Sequence, residues 1–262
     1  MQLSSFVTVT RRCLPLTCFF KLPEQGMKDY EVLSRGTAFL SDSHILASHH
    51  VVEPFHFPNY FTEDWLQFVT PQHCRYVISL PADVGGDVLL TSPISDPNSR
   101  DVAALALANP TDIATLSQWG ASPLRLHNDD SFKGDKVIVD GFEVTELRSP
   151  LSDDFFNNID DDRTTGDTRI HLHSNVAGFV VSNNLPDQHF AMTPIPLTDG
   201  YCGAPICPDV DNDDPDFFTY IGIVEGIVNN TASEEVVRGA ASYIPAPYLK
   251  TFLEHVEKTR TE

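Results

Sequence analysis

Short apolar runs recur along the whole chain, and clusters of Gly, Pro, Asn and Asp separate them. Ten of these runs are rich in the β-branched and aromatic residues that favour strands. They read GTAFL, HILASHHVV, RYVISL, DVLLT, VAALAL, KVIVDGF, RIHLH, AGFVVSN, YIGIVEGIV and ASYI. The pattern predicts an all-β protein, a barrel or sandwich built of many short strands.

Helical spacing of apolar residues is clear near the C-terminal end. Apolar residues repeat at intervals of three and four over 249–256, and Pro247 suits the first turn of a helix. The spacing predicts a helix from Pro247 to about Lys258, after the last strand. Two shorter helical turns are predicted at Ala47–Val52 and Asp112–Trp119.

The composition is that of a globular protein with a strongly acidic charge balance. The 262 residues include 17 basic and 37 acidic side chains, a formal net charge of −20, and 41% are hydrophobic. Nucleic acids and anionic membranes require clustered Lys and Arg, so neither is an expected partner. No apolar run reaches the ~20 residues of a membrane span.

The N-terminal segment and the cysteines bear on the compartment. Arg11 and Arg12 interrupt the apolar stretch near the N-terminus, which argues against a secretory signal. We expect a strand pair there, Phe6–Thr10 with Thr17–Leu22; an organelle transit peptide is the alternative. The cysteines are sparse and odd in number, which predicts free thiols and an intracellular, cytoplasmic location. They are Cys13, Cys18, Cys74, Cys202 and Cys207.

Two acidic, turn-rich segments interrupt the strand pattern, at 151–167 and 207–218. Asp209, Asp211 and Asp213 alternate as in a calcium loop, but the sixth and twelfth positions, counted from Asp209, lack the required Gly and acid. A solvated acidic loop is therefore favoured, and a calcium-regulated protein acting through Asp209–Asp216 is a weaker possibility.

Two histidines could suggest a metal site. His171 and His173 alternate on one strand face as zinc ligands would, but no third ligand follows at a clear spacing. Both are expected to be ordinary strand residues. We expect no metal site and no cofactor.

The segment LTDGYCGAPIC, residues 197–207, carries the candidate chemistry. Glycines on either side of Tyr201-Cys202 allow a sharp turn, and the N–H groups of Gly200 and Cys202 could bind a developing oxyanion. A thiol attacks efficiently only when a base helps to form the thiolate. The sequence must therefore supply a histidine and, preferably, a carboxylate that orients it.

Ordered sequence blocks around this segment resemble those of chymotrypsin-fold peptidases, closest to the HtrA/Deg type. GTAFL and ILASHHVV, over 36–52, resemble the family's strand–turn–strand–histidine block. DVAAL at 101–105 matches its acid block, and GYCGAP at 200–205 matches Gly-x-Ser-Gly-Gly-Pro with cysteine in place of serine. YIGIVEGIV and ASYIPAPYLKTFLE resemble its pocket strand and its last strand and helix.

The resemblance implies two six-stranded antiparallel β-barrels with the active site between them and a C-terminal helix. The first lobe would cover about 1–115, the second about 116–246 and the helix 247–262, with the boundary within 109–123. A PDZ domain, common in HtrA-type enzymes, is not expected after the helix. The implied catalytic residues are His50, Asp101 and Cys202.

The implied substrate pocket is built from two segments. It would include Pro196, Val224, Glu225 and Gly226, and Glu225 is a candidate for favouring a basic substrate residue.

The sequence departs from the family pattern at three places. His49 stands where the family prefers a small alanine, and it is expected to be a partly exposed neighbour of the base. Tyr201 replaces the aspartate that pairs with a newly cut N-terminus, so activation by cleavage is not expected. Ala204 replaces the second glycine.

Two classes of function follow from these observations. The leading hypothesis is an endopeptidase that acts on proteins or peptides by acyl transfer through Cys202, His50 and Asp101. The alternative is a catalytically inactive protease fold that serves as a binding module.

Overall fold

The computed structural model describes residues 10–42, 44–146 and 169–261, and these residues form mainly strands. The strands β1–β15 are Leu14–Phe20, Glu31–Ser41, His44–Ala47, Cys74–Ile78, Val88–Leu89, Ile94–Ser95, Ala103–Leu105, Arg125–Leu126, Lys136–Glu146, Arg169–Ser182, His189–Met192, Pro205–Pro208, Thr219–Tyr220, Gly222–Ile227 and Ala241–Pro245. The helices α1–α3 are His49–Val52, Ile113–Gln118 and Ala246–Thr261.

Strands β1–β7 form one antiparallel sheet in the order β5-β4-β1-β2-β3-β7-β6. The backbone bonds between its two edges curl this sheet toward a barrel: Thr91 N–H donates to Ala106 O at 2.8 Å, and Ala108 N–H donates to Leu89 O at 2.9 Å. A buried cluster of apolar side chains from β1, β2, β3, β4 and β7 fills its interior. The sheet is thus a first barrel-like lobe.

Six later strands close into a second barrel, in the order β10-β11-β15-β14-β12-β9. Its longest pair is β9 with β10, which stay in antiparallel register from Lys136 opposite Phe179 to Glu146 opposite Arg169. Its interior is a separate cluster of buried apolar residues, among them Val139, Tyr201 and Tyr243. Full closure leaves no unpaired sheet edge in this barrel.

A third apolar cluster joins the two lobes and fixes the cleft between them. Phe39 of β2 packs edge-on against Tyr220 of β13, with ring centroids 4.7 Å apart. Helix α3 inserts Leu249, Phe252 and Val256 into the same cluster, all of them buried. Because the cluster includes both lobes and the helix, it holds the two lobes in one relative position.

The structure confirms the predicted two-lobe, all-β architecture with a C-terminal helix, and it corrects several boundaries. The two predicted strands RIHLH and AGFVVSN are one continuous strand, β10. Strands β11 and β12 were not predicted, because their short sequences HFAM and PICP lack a clear alternating pattern.

Other boundary predictions shift by a few residues. The strand predicted at Thr17–Leu22 runs from Leu14 to Phe20, whereas its predicted partner Phe6–Thr10 lies outside the described residues except for Thr10, which is not in a strand. Helix α1 is restricted to His49–Val52. The acidic segment 151–167 also lies outside the described residues. No helix among the described residues has the length and apolarity needed to cross a bilayer.

Candidate active site

The structure brings His50, Asp101 and Cys202 together between the two lobes. His50 lies on helix α1, directly after β3, and Asp101 lies in the loop before β7. The Nδ1 atom of His50 is 2.6 Å from Oδ2 of Asp101, and the Cys202 side chain lies close enough to the ring to raise the pKa of His50. The imidazole thus stands between the carboxylate and the sulfur, the order that a nucleophile, a base and an orienting acid require.

Asp101 is fixed by more than the imidazole. Its Oδ1 accepts the backbone N–H of His50 at 2.7 Å, and its Oδ2 accepts the hydroxyl of Ser48 at 2.6 Å. Burial alone would raise the pKa of Asp101, but the hydrogen bonds from His50 and Ser48 lower it below its usual value. The group is therefore a carboxylate at neutral pH, and it fixes Nδ1 of His50 as the protonated nitrogen.

The pKa of His50 reflects both neighbours. Burial alone would lower this pKa, but the hydrogen bonds to Asp101 and Cys202, together with their charges, raise it to about 10. At neutral pH the ring is an imidazolium.

Two glycines shape the loop that carries Cys202. Gly200 has φ +104° and Gly203 has φ +87°, the left-handed region that glycine adopts without strain. A Cβ at Gly203 would lie 2.1 Å from the carbonyl oxygen of Thr37, so no larger residue fits there. The N–H groups of Gly200 and Cys202 have no acceptor on the described residues, so both are available to an oxyanion.

Thr37 of β2 holds this loop against the first lobe. Its N–H donates to the carbonyl of Cys202 at 3.1 Å, and its hydroxyl donates to the carbonyl of Gly200 at 2.7 Å. The same hydroxyl accepts the N–H of Phe142 on β9 at 2.9 Å. Thr37 thus links both lobes to the nucleophile loop, a role that the sequence pattern did not indicate.

Tyr201 anchors the loop on its other side. Its side chain is buried in the core of the second barrel, and a Cβ at Gly141 would lie 2.8 Å from its ring. Burial raises the pKa of this phenol, so it stays neutral. Ala204 is fully buried beside this anchor.

A cleft with a volume of about 910 Å³ extends from His50 and Cys202 along the second barrel. The segment after helix α1 forms one wall with the aromatic rings of Phe57, Tyr60 and Phe61. The facing wall contains both apolar and polar side chains. Its larger apolar residues are Leu185, Phe190, Ile227, Val228 and Val237.

Glu225 lies in this cleft, but Arg100 neutralises it. Nη2 of Arg100 is 2.7 Å from Oε1 of Glu225, and the second carboxylate oxygen accepts hydrogen bonds from Gln188 and Ser242 at 2.9 Å each. Burial raises the pKa of Glu225 above its usual value in spite of Arg100. Both carboxylate oxygens therefore already have partners within the protein, and a role of Glu225 in substrate preference stays a prediction.

The other predicted pocket residues divide into two groups. Gly226 lines the cleft, and no atom lies within 4 Å of the position that a Cβ would occupy there. Pro196 is exposed and is not part of the lining. Val224 is buried in the barrel core, and its backbone bonds to Gly203 and Ala204 hold the nucleophile loop instead. Neither Pro196 nor Val224 is among the described residues that line this cleft, and their assignment to a substrate pocket stays a prediction.

His49 points away from the cleft. Its Nε2 lies 3.0 Å from the carboxylate of Glu53 and 2.9 Å from the hydroxyl of Ser95, and its side chain is only 12% exposed. It is thus a partly exposed neighbour of His50, as the sequence predicted.

All five cysteines carry free thiols. Among the described residues, two groups of three potential metal ligands lie within 4.8 Å of one another. One is Cys13, Asp140 and His173, which we call the barrel cluster; the other is His49, Glu53 and His56. His171 instead contacts the carbonyl oxygen of Leu16 at 3.1 Å. The acidic segment 207–218 contributes no residue to either group.

At the level of sequence, neither a protein-family model nor a curated protein matches this chain. The fold, however, is similar to solved structures. One is the crystal structure of Rv3671c from M. tuberculosis H37Rv, a serine-to-alanine mutant in its inactive form; it is 12% identical, with a TM-score of 0.50 over 94% of this chain and 87% of that chain. At this identity the likeness concerns the fold, and it agrees with a chymotrypsin-like pair of lobes.

Proposed function

We propose that the protein is an endopeptidase that cleaves peptide bonds through a covalent thioester on Cys202. One observation carries the proposal: His50 bridges the Asp101 carboxylate and the Cys202 thiol at the mouth of a cleft between two lobes. The closeness to HtrA-type enzymes rests on the ordered sequence blocks alone, and the cysteine nucleophile rests on those blocks and on the position of Cys202 beside His50.

Acylation would use the ion pair of His50 and Cys202. The thiolate attacks the peptide carbonyl carbon, and the oxyanion that forms is bound by the N–H groups of Gly200 and Cys202. The imidazolium of His50 then gives its Nε2 proton to the leaving amine as the C–N bond breaks. Asp101 keeps the ring oriented throughout, since it holds Nδ1–H.

Deacylation would return the enzyme to its starting state. His50, now neutral, takes a proton from water while the water oxygen attacks the thioester carbonyl. The C–S bond breaks, the carboxylic acid product leaves, and the thiolate–imidazolium pair forms again. One water is consumed for each peptide bond that is cleaved.

The cleft suggests the substrate class. Its larger side chains are aromatic and aliphatic, and Arg100 pairs with Glu225, while Glu234 adds an exposed carboxylate to the lining. Extended peptides with apolar side chains near the cleaved bond fit the aromatic and aliphatic part of this lining. The reducing, intracellular compartment inferred from the cysteines remains a prediction.

Cleavage profiling of a peptide library tests the proposal, with wild-type protein and Cys202→Ala side by side. We expect wild-type cleavage next to apolar residues and no cleavage by the variant. A thiol-directed active-site probe should label Cys202 in the wild type. If neither cleavage nor labelling occurs while peptides still bind, the protein is a binding module and the proposal fails.

A further inference from the structure

The second group of potential metal ligands, His49, Glu53 and His56, adjoins the cleft but takes no part in the proposed chemistry. His49 and Glu53 are four residues apart across helix α1 and its C-terminal end, and His56 ends the short 3₁₀ turn Pro54–His56. The spacing H-x₃-E-x₂-H places all three side chains on one side of this segment.

Glu53 is a buried carboxylate, 5% exposed, whose ion-pair partners are the imidazoles of His49 and His56. The hydroxyl of Ser95 also donates to it at 3.4 Å. Among the described residues, no Lys or Arg forms an ion pair with Glu53. Buried charges in proteins are normally paired or coordinate a metal, so a carboxylate facing two imidazoles calls for a cation.

The distances suit a small four-coordinate ion. Oε2 of Glu53 is 3.0 Å from Nε2 of His49 and 3.7 Å from Nε2 of His56. Around tetrahedral zinc, with bonds of about 2.0–2.2 Å, neighbouring ligand atoms lie roughly 3.3–3.5 Å apart. The His56 side chain is 53% exposed and is therefore free to adjust its rotamer toward the other two ligands.

The types of ligand atom indicate which metal the site would bind. Two imidazole nitrogens and one carboxylate oxygen favour zinc, whereas calcium and magnesium prefer oxygen ligands alone. Three protein ligands leave a fourth position for water. The hydroxyl of Ser95, 2.9 Å from Nε2 of His49, is the next polar group on that side.

We propose that His49, Glu53 and His56 form a zinc-binding site beside the cleft. The site stands on its own ligands and does not depend on the proposed peptidase activity.

The barrel cluster is the natural comparison, and it is less suited to a metal. Arg12 Nε already lies 3.0 Å from Asp140, and the Cys13 thiol donates to the same carboxylate at 3.4 Å. A metal there would have to displace a buried guanidinium. The cluster therefore provides a matched control for the proposed site.

Zinc occupancy would also affect the wall of the cleft. Phe57 follows His56 directly and packs edge-on against His49, with ring centroids 5.1 Å apart, and against His50, with centroids 6.0 Å apart. A metal that joins His49 to His56 fixes this turn and hence the position of Phe57.

Isothermal titration calorimetry with Zn²⁺ tests the site in the full chain carrying Cys202→Ala, which removes the thiol next to His50 as a competing ligand. We expect one equivalent of Zn²⁺ to bind, and Co²⁺ in its place should give the visible absorption of a tetrahedral site. Adding His56→Ala should weaken binding at least tenfold, because one of three ligands is lost. His56→Asp, which supplies an oxygen ligand, should recover part of the affinity.

His173→Ala in the same background is the control for the barrel cluster and should bind Zn²⁺ as its parent does. Because His56 is half exposed, its variant should keep the parent's circular dichroism. Three results would overturn the proposal: no binding by the parent, equal binding by His56→Ala, or loss of binding in His173→Ala.

Discussion

Cysteine, histidine and aspartate meet at two places in this protein, and the two clusters differ in which residue stands in the middle. In the cleft, His50 lies between Asp101 and Cys202. In the barrel cluster the carboxylate is central: Asp140 accepts the thiol of Cys13 at 3.4 Å and lies 2.7 Å from Nε2 of His173.

The order of contacts decides what each thiol can do. Cys13 is 1% exposed, and burial, with the nearby charge of Asp140, raises its pKa well above the usual value. It is thus a neutral thiol, out of reach of any substrate. Cys202 is partly exposed and faces the imidazole of His50, and the N–H groups of Gly200 and Cys202 find no acceptor within the described part of the chain. Identical residue types therefore serve packing at one place and suit chemistry at the other.

Asp140 has a structural role of its own. Arg12, which precedes β1, reaches it at 3.0 Å, with both side chains 6% exposed. The ion pair connects the start of the first lobe to β9 of the second barrel. Asp140 therefore contributes to the stability of the fold. The partners of Asp101, in contrast, belong to the candidate active site.

The largest expected effect separates the two cysteines. Cys202→Ala should reduce kcat/KM for peptide cleavage by roughly 10⁴-fold or more, because the nucleophile is lost. Cys13→Ala should leave kcat/KM unchanged, since this thiol reaches no substrate. Iodoacetamide labelling followed by mass spectrometry should modify Cys202 in the folded protein and spare Cys13. Preferential labelling of Cys13 would reverse the assignment.

The two histidines give the next contrast. His50→Ala should lower kcat/KM by roughly 10³-fold or more, since the ion pair and the proton donor to the leaving amine are both lost. His173→Ala removes a contact with Asp140 and touches none of His50, Asp101 and Cys202, so its activity should stay within about twofold of wild type. Steady-state kinetics on one peptide measures both. A comparable loss in the two variants would mean that the barrel cluster takes part in catalysis.

The three candidate residues could be found from the sequence, whereas the contacts that surround them could not. His50, Asp101 and Cys202 each lie in a short block whose residues are adjacent in the chain, so local pattern and block order suffice to find them. The Arg100–Glu225 ion pair and the three hydrogen bonds of Thr37 join segments far apart in sequence. Such contacts depend on how the lobes pack, which local periodicity does not encode.

The same distinction applies to the fold. Alternating apolar residues indicated most strands, because burial of one face has a period of two residues. The pattern did not indicate that β10 is continuous through 169–182, since the polar Ser174 and Asn175 interrupt it. In the structure these two residues pair with Gly141 and Asp140 of β9, which keeps the strand continuous.

Substitution of Asp140 should reduce stability, whereas substitution of Asp101 should reduce activity. Asp140→Asn leaves the guanidinium of Arg12 buried without its counter-charge, and it should reduce the free energy of unfolding by about 3 kcal/mol. Urea denaturation measures this loss, while kcat of the folded variant should be unchanged. Asp101→Asn should instead reduce kcat/KM by roughly 10²-fold, because the orienting group is lost. If Asp140→Asn impairs kcat more than Asp101→Asn does, the separation of roles is wrong.

The smallest expected effect concerns how the contribution of Asp140 to the free energy of unfolding changes with pH. Burial alone would raise the pKa of this carboxyl, but its contacts with His173 and Arg12 lower it below the ordinary 3.8. Because the folded pKa is the lower one, the carboxylate stabilises the fold above about pH 4, and this contribution is lost as the pH falls toward the folded pKa. The groups that face it are Arg12, His173 and the thiol of Cys13. Urea denaturation of wild type and Asp140→Asn between pH 7 and pH 3 should therefore show a stability difference that is constant above about pH 5 and smaller at pH 3. A difference that grows on acidification would contradict the lowered pKa and, with it, the view that the Arg12–Asp140 pair holds the two lobes together.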